Sequence, residues 1–162
     1  MDTISISYIK NIIKLQKKFN YDSIPDIYNF ADCHDASLIT PLAFYCYKQD
    51  VKRTLEILEN PNCLIFESKH PLIDATYNFM KKTCSLMIQK NIIPKNKELL
   101  DRCFNNCLNN EMEEIAILLL PYMNLESLKE LYSNGKYINL LEYSKKYHLK
   151  KLELKLLVVL FS

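Results

Sequence analysis

The residue types that most often carry chemistry are few in this chain and stand apart from one another. Cys33, His34 and Asp35 run consecutively and offer a thiol, an imidazole and a carboxylate, the types that make a nucleophile, its base and an orienting acid. Consecutive side chains point in different directions, so the run cannot form a relay by itself. It reads instead as a turn between helices, with Asp35 as a cap. Cys103 and Cys107 lie four apart and share a helix face, and His34, His70 and His148 could add nitrogen ligands. Structural zinc sites are built on two close ligand pairs, whereas the six cysteines offer one loose pair and no CxxC. His148, between Tyr147 and Leu149, falls at a helix joint, where the negative end of a helix dipole is its simplest partner. No catalytic, cofactor-binding or metal-binding residue is therefore assigned. The expectation is a protein that is not an enzyme and has no cofactor and no small-molecule substrate.

The other chemistry on offer is electrostatic. Lys10, Lys14, Lys17 and Lys18 fall largely on one side of a first helix, while Lys145, Lys146, Lys150, Lys151 and Lys155 cluster near the end beside Tyr143 and Tyr147. Such lysines bind phosphates as point charges, and a tyrosine ring can stack on an unpaired base. Net charge is only +2, but it is laid out in blocks: +3 over 1–20, −5 over 21–80, +4 over 81–110, −4 over 111–135 and +4 over 136–162. Both ends are basic. Arginine, which reads bases and grips phosphates bidentately, occurs twice against 19 lysines, so nucleic-acid contact would follow shape and charge and not base sequence.

The elements that hold these residues should be helices. One glycine in 162 residues, against an average of about 7%, disfavours hairpin-rich β architecture and excludes glycine-lined phosphate loops. Between breaks at Pro25, Pro41, Pro61, Pro71, Pro94, Pro121 and Asn134-Gly135, apolar residues recur at helical spacing. Ile9, Ile12, Ile13 and Phe19 make one stripe, and Ile24, Ile27, Tyr28 and Ala31 a second. Thr40 before Pro41 predicts an N-cap and first turn, and Asp50 caps a helix that ends at Asn60-Pro61. A long helix follows over about 70–90, with Leu72, Ala75, Phe79 and Leu86 inward. Further helices are predicted over about 97–109, 111–123, 125–133, 137–147 and 149–161, with Asn124 as an N-cap, Asn134-Gly135 as a stop and Pro121 ending its helix early. The last helix has two apolar faces, Leu149, Leu152, Leu156 and Val159 on one and Leu154, Leu157 and Phe161 on the other, so it is either sandwiched between two neighbours in its own domain, the preferred reading, or docked on a partner.

Short joins make neighbouring helices antiparallel. The predicted fold is thus all-α: a single domain over 1–162 of stacked antiparallel helical hairpins, a short α-solenoid or helical bundle, with a possible subdivision near 91–96. The longest uncharged apolar run near the end, residues 156–161, is far short of the roughly 20 residues of a membrane span. The first 19 residues do not have the order of a secretory signal. The cysteines are expected to be free thiols of a reducing, cytoplasmic compartment.

Two stretches resemble known families. "TPLAFYCYKQDVKRTLEILEN" from Thr40 and "HPLIDATYNFMKKTCSLMIQKN" from His70 resemble degenerate ankyrin repeats over about 40–90, with a T/H-P-L start 30 residues apart and without that family's usual glycines. "KELLDRCFNNCLNNEMEEIAILLLPYM" with "INLLEYSKKYHLKKLELKLL", over about 97–157, resembles the C-terminal helical domain of the WD-repeat and HMG-box DNA-binding family, replisome adaptors whose helices dock short peptides. Both resemblances imply paired helices that bind macromolecules.

The abundance of Ile (17), Lys (19), Asn (15) and Tyr (11) is that of an AT-rich genome, as in microsporidia, apicomplexans and poxviruses. The sequence reading is a non-catalytic binding protein that occupies a site on a large ribonucleoprotein or protein assembly. Its most concrete form is a ribosome-associated dormancy (hibernation) factor of a microsporidian-like organism, with basic ends on rRNA and an acidic middle on ribosomal proteins. The alternative is a peptide-binding adaptor or a viral ankyrin-like host-factor binder.

Overall fold

The computed structural model describes residues 40–59, 65, 67–133 and 136–161. The stripes predicted over 9–31, the run Cys33-His34-Asp35 and the lysines Lys10, Lys14, Lys17 and Lys18 lie outside these residues.

Among the described residues the chain forms nine α-helices and one two-stranded sheet. The order is α1 (Pro41–Tyr47), α2 (Val51–Leu58), a 3-10 turn (Glu67–Lys69), α3 (Pro71–Tyr77), α4 (Lys81–Gln89), α5 (Lys97–Asn109), α6 (Glu113–Leu119), a 3-10 turn (Leu120–Tyr122), α7 (Leu125–Lys129), β1 (Glu130–Ser133), β2 (Lys136–Asn139), α8 (Leu140–Lys146) and α9 (Lys150–Phe161).

Helix starts are fixed by side-chain caps. Thr40 Oγ1 accepts from the Ala43 amide at 3.3 Å and Pro41 opens α1. His70 plays the same part for α3, its Nδ1 accepting from the Leu72 amide at 3.1 Å ahead of Pro71. Asp50, Asn96, Asn124 and Asn139 cap α2, α5, α7 and α8.

Four tight turns share one backbone solution. Gln49, Phe79, Glu111 and His148 have φ of 60°, 63°, 55° and 56°, the left-handed region. Each follows the first helix of a hairpin, and the next amide closes back across the turn. These bonds are Asp50 N to Tyr45 O (3.0 Å), Met80 N to Ala75 O (2.9 Å), Met112 N to Cys107 O (2.8 Å) and Leu149 N to Ser144 O (2.8 Å). The bond satisfies carbonyls left open at the helix end and reverses the chain within three residues.

The hairpins α1–α2, α3–α4 and α5–α6 then stack. Helices α1, α3 and α5 form one row, and α2, α4, α6 and α9 a second. Helix α7 and β1 lean on α5, and α8 packs on α7, β2 and α9. One core cluster runs between the rows from Leu42 through Leu72, Phe104 and Leu119 to Leu156, crossing 91–96 without a break. The architecture is all-α, as predicted, with stacked antiparallel hairpins.

Three local expectations need correction. The helix predicted over 70–90 is two helices, because the left-handed turn at Phe79 reverses the chain and points Phe79 outward. The helices predicted over 125–133 and 137–147 are shorter. Residues 130–133 and 136–139 pair as antiparallel strands, Leu131 opposite Ile138 and Tyr132 opposite Tyr137, with their tyrosine rings 5.0 Å apart. Helix α6, by contrast, stops at Leu119 as the position of Pro121 predicts, and Pro121 tightens the chain into a 3-10 turn. Finally, α9 buries Leu152 and Leu156 but leaves Leu154 64% and Phe161 75% exposed, since it has neighbours on one side only among the described residues.

Candidate docking surface

Among the described residues the buried titratable groups are held by burial and by structural hydrogen bonds. Cys84 on α4 and Cys103 and Cys107 on α5 lie in the core with their thiols out of water. Burial pushes Cys84 up to about 12, and the same cause drives Cys103 and Cys107 higher. A protonated thiol is a poor nucleophile and a poor metal ligand. Among the described residues, no three His, Cys, Asp or Glu side chains converge to hold an ion. His70 is pulled down to about 4 by burial and uses Nδ1 as a helix cap. Burial raises the half-buried Asp74 carboxyl to about 6. Both are structural groups.

The polar groups that do converge join hairpin to hairpin. Asn78, just before the left-handed Phe79, donates from Nδ2 to the Cys46 carbonyl of the preceding hairpin at 2.9 Å. Asn110, just before Glu111, donates to the Thr76 and Tyr77 carbonyls at 2.8 and 3.0 Å. These asparagines occupy equivalent places, and each closes the end of the neighbouring first-row helix. Asn106 donates to Ile73 O and Thr76 Oγ1, and Thr54 and Thr83 share a 2.9 Å hydroxyl pair between α2 and α4. Gln49 Nε2 donates to Asn78 Oδ1 at 3.4 Å, so the first two turns sit side by side.

That alignment puts aromatic side chains along one edge. Tyr47 is 45% exposed, Tyr77 70% and Phe79 50%, where buried rings would be expected of a molecule with a filled core. Lysines attend them: Lys48 Nζ lies 5.6 Å from the Tyr47 ring centre, and Lys81 Nζ lies 5.0 Å from that of Phe79. The last hairpin repeats the motif with Lys146 Nζ 5.5 Å from the Tyr147 ring. Sequence reasoning missed Tyr47, Tyr77, Phe79 and Lys81. Their signal is a 30-residue offset between Tyr47-Lys48-Gln49-Asp50 and Tyr77-Asn78-Phe79-Met80.

The predicted lysine and tyrosine cluster is only partly assembled. Tyr143 and Tyr147 do meet, with centroids 4.5 Å apart and ring planes tilted at 42°, and Tyr143 is half-buried with its phenol raised by burial and then by Tyr147. Lys145, Lys146 and Lys150 are exposed around the turn at His148. Lys151 turns instead to Glu114, at 3.4 Å, beside the Glu113 carboxylate that accepts from the Leu152 amide at 2.8 Å. Lys155 lies farther along α9, at the rim of an apolar cavity of about 450 Å³ walled by Leu120, Leu125, Leu128 and Val158.

No helix among the described residues is long and apolar enough to cross a membrane. No protein-family model, curated protein or solved structure matches this chain.

Proposed function

We propose that the chain is a non-catalytic docking module whose stacked hairpins present a surface to a protein partner. The carrying observation is the recurrence of one turn geometry at Gln49, Phe79, Glu111 and His148, which brings the first two turns side by side on one edge while the core buries the thiols of Cys46, Cys84, Cys103 and Cys107. A quasi-repeating stack of this kind offers an extended surface built from positions distant in sequence. The ankyrin-type reading of 40–90 draws support from Thr40-Pro41-Leu42 and His70-Pro71-Leu72, which open equivalent helices, and from turns that reach the left-handed region without glycine. The peptide-binding adaptor is therefore the favoured reading.

One observation favours the ribosome-bound reading: exposed Lys145, Lys146 and Lys150 flank the turn that carries the Tyr143–Tyr147 ring pair, and such basic and aromatic groups together suit RNA. Affinity capture of the full chain from native lysate, with and without nuclease, followed by cross-linking, separates the two. The docking reading expects protein partners that survive nuclease and cross-link to the hairpins. Loss of all partners on nuclease treatment, or salt-sensitive co-sedimentation with ribosomes, overturns it in favour of the ribosomal role.

A further inference from the structure

We propose that the edge made by the first two hairpin turns takes an acidic protein segment carrying apolar side chains, received by Tyr47, Tyr77, Phe79, Lys52, Lys81 and Lys82. The inference rests on the docking function above and names its site and the chemistry of its partner.

Phe79 is the most informative residue. A left-handed backbone disfavours any residue with a Cβ relative to glycine, and a bulky one is a genuine outlier. The equivalent turns use Gln49, Glu111 and His148, all polar. Only this turn holds an apolar ring at φ 63° and leaves it half in water, so neither backbone geometry nor core packing accounts for the choice. Strain together with exposure is what a surface kept for contact would carry. Tyr77 is more exposed still, and the bonds from Asn78 to Cys46 O and from Gln49 to Asn78 hold Tyr47 on the adjacent turn.

The charge around the rings is positive and unspent. Lys52, Lys81 and Lys82 are exposed and make no ion pair among the described residues. Nearby acids are engaged: Asp50 caps α2 and holds Arg53 at 3.6 Å, while Glu113 and Glu114 across the adjoining 420 Å³ groove are tied to α9 through Leu152 and Lys151. Glu111, on the far wall of that groove, marks where the basic stretch ends. A short acidic segment can stop there, whereas a phosphate backbone continues its charge past it.

The test uses the full chain and a fluorescently labelled random copolymer of glutamate and tyrosine, read by anisotropy. Binding is expected, weakening about tenfold in the double variant Lys81→Glu, Lys82→Glu and several-fold in Phe79→Gly, which relaxes the backbone and so keeps the fold. Leu154→Ser, on α9, should bind as the unmodified chain does. The proposal is overturned if the unmodified chain ignores the copolymer, if the variants bind it equally, or if oligouridine binds more tightly. Should the copolymer fail while captured partners still cross-link to α7–α9, the docking function stands and this surface falls. Should no protein partner be captured either, both fall.

Discussion

Hairpins α3–α4 and α8–α9 turn in the same way and end differently. Both reverse through a left-handed residue, Phe79 or His148, and both close with the same amide-to-carbonyl bond. The first is gripped from both sides, by Asn78 to Cys46 O and by Asn110 to Thr76 O, and its helices bury Leu72, Ala75, Cys84 and Met87. The second has Tyr147 where α3–α4 and α5–α6 have an asparagine, and its outer helix leaves Leu154, Val158 and Phe161 in water. Turn geometry is thus set by local bonds, while burial is set by how many neighbours a hairpin has. This is the logic of a stack in which each unit touches only the next.

The contrast can be broken most directly in the core. Leu72→Ala should lower stability by about 3 kcal/mol, while Leu154→Ala should cost under about 0.5 kcal/mol; equal effects in urea titrations would erase the distinction. The next largest effect is confined to α3 and shows as a pH dependence. Burial lowers His70 from 6.5 to about 4, so the folded chain binds this proton more weakly than the unfolded one and loses stability as pH falls through that window. Burial raises Asp74 from 3.8 to about 6, so the folded chain binds that proton more tightly and loses stability as pH rises through its window. The slopes oppose each other and largely cancel between pH 4 and 6. Asp74→Asn should unmask a loss on the order of 2 kcal/mol on acidification, and His70→Asn, which keeps a capping side chain, a gain of similar size. Melting curves across that range check both signs.

Smaller effects sharpen the comparison at the turns. Asn110→Ala leaves the Thr76 and Tyr77 carbonyls short of a donor and should destabilise by about 1–2 kcal/mol. Tyr147→Ala, at the corresponding place in the last hairpin, should cost about half as much by the same measurement, through its contact with Tyr143. Smallest is Phe79→Gly, which should raise stability by about 0.5–1 kcal/mol by relieving the left-handed turn.

Much of the fold was legible because caps and apolar spacing are local signals. Thr40, Asp50 and Asn124 cap as read, and α5 has the predicted bounds. The turn at Phe79 was not legible, since left-handed geometry is normally announced by glycine or asparagine and phenylalanine announces nothing. A shift of phase does mark it: Leu72 and Ala75 belong to one stripe, and Met80, Cys84 and Met87 to another. The strand pair was missed although Asn134-Gly135, outside the described residues, is a hairpin signal, because low glycine content argued against β structure everywhere. The candidate surface was the least legible part. Tyr47 and Tyr77 stand 30 residues apart and meet only once two hairpins stack, whereas the lysines from 145 to 155 look clustered in sequence and are spread by a turn and a helix.

The buried sulfurs of Cys84, Cys103 and Cys107 have a practical corollary. A water-borne alkylating reagent can reach them only while the core between the two helix rows gapes, so the pace of labelling becomes a stopwatch for breathing of the stack. Its dependence on denaturant would separate local gaping from wholesale collapse.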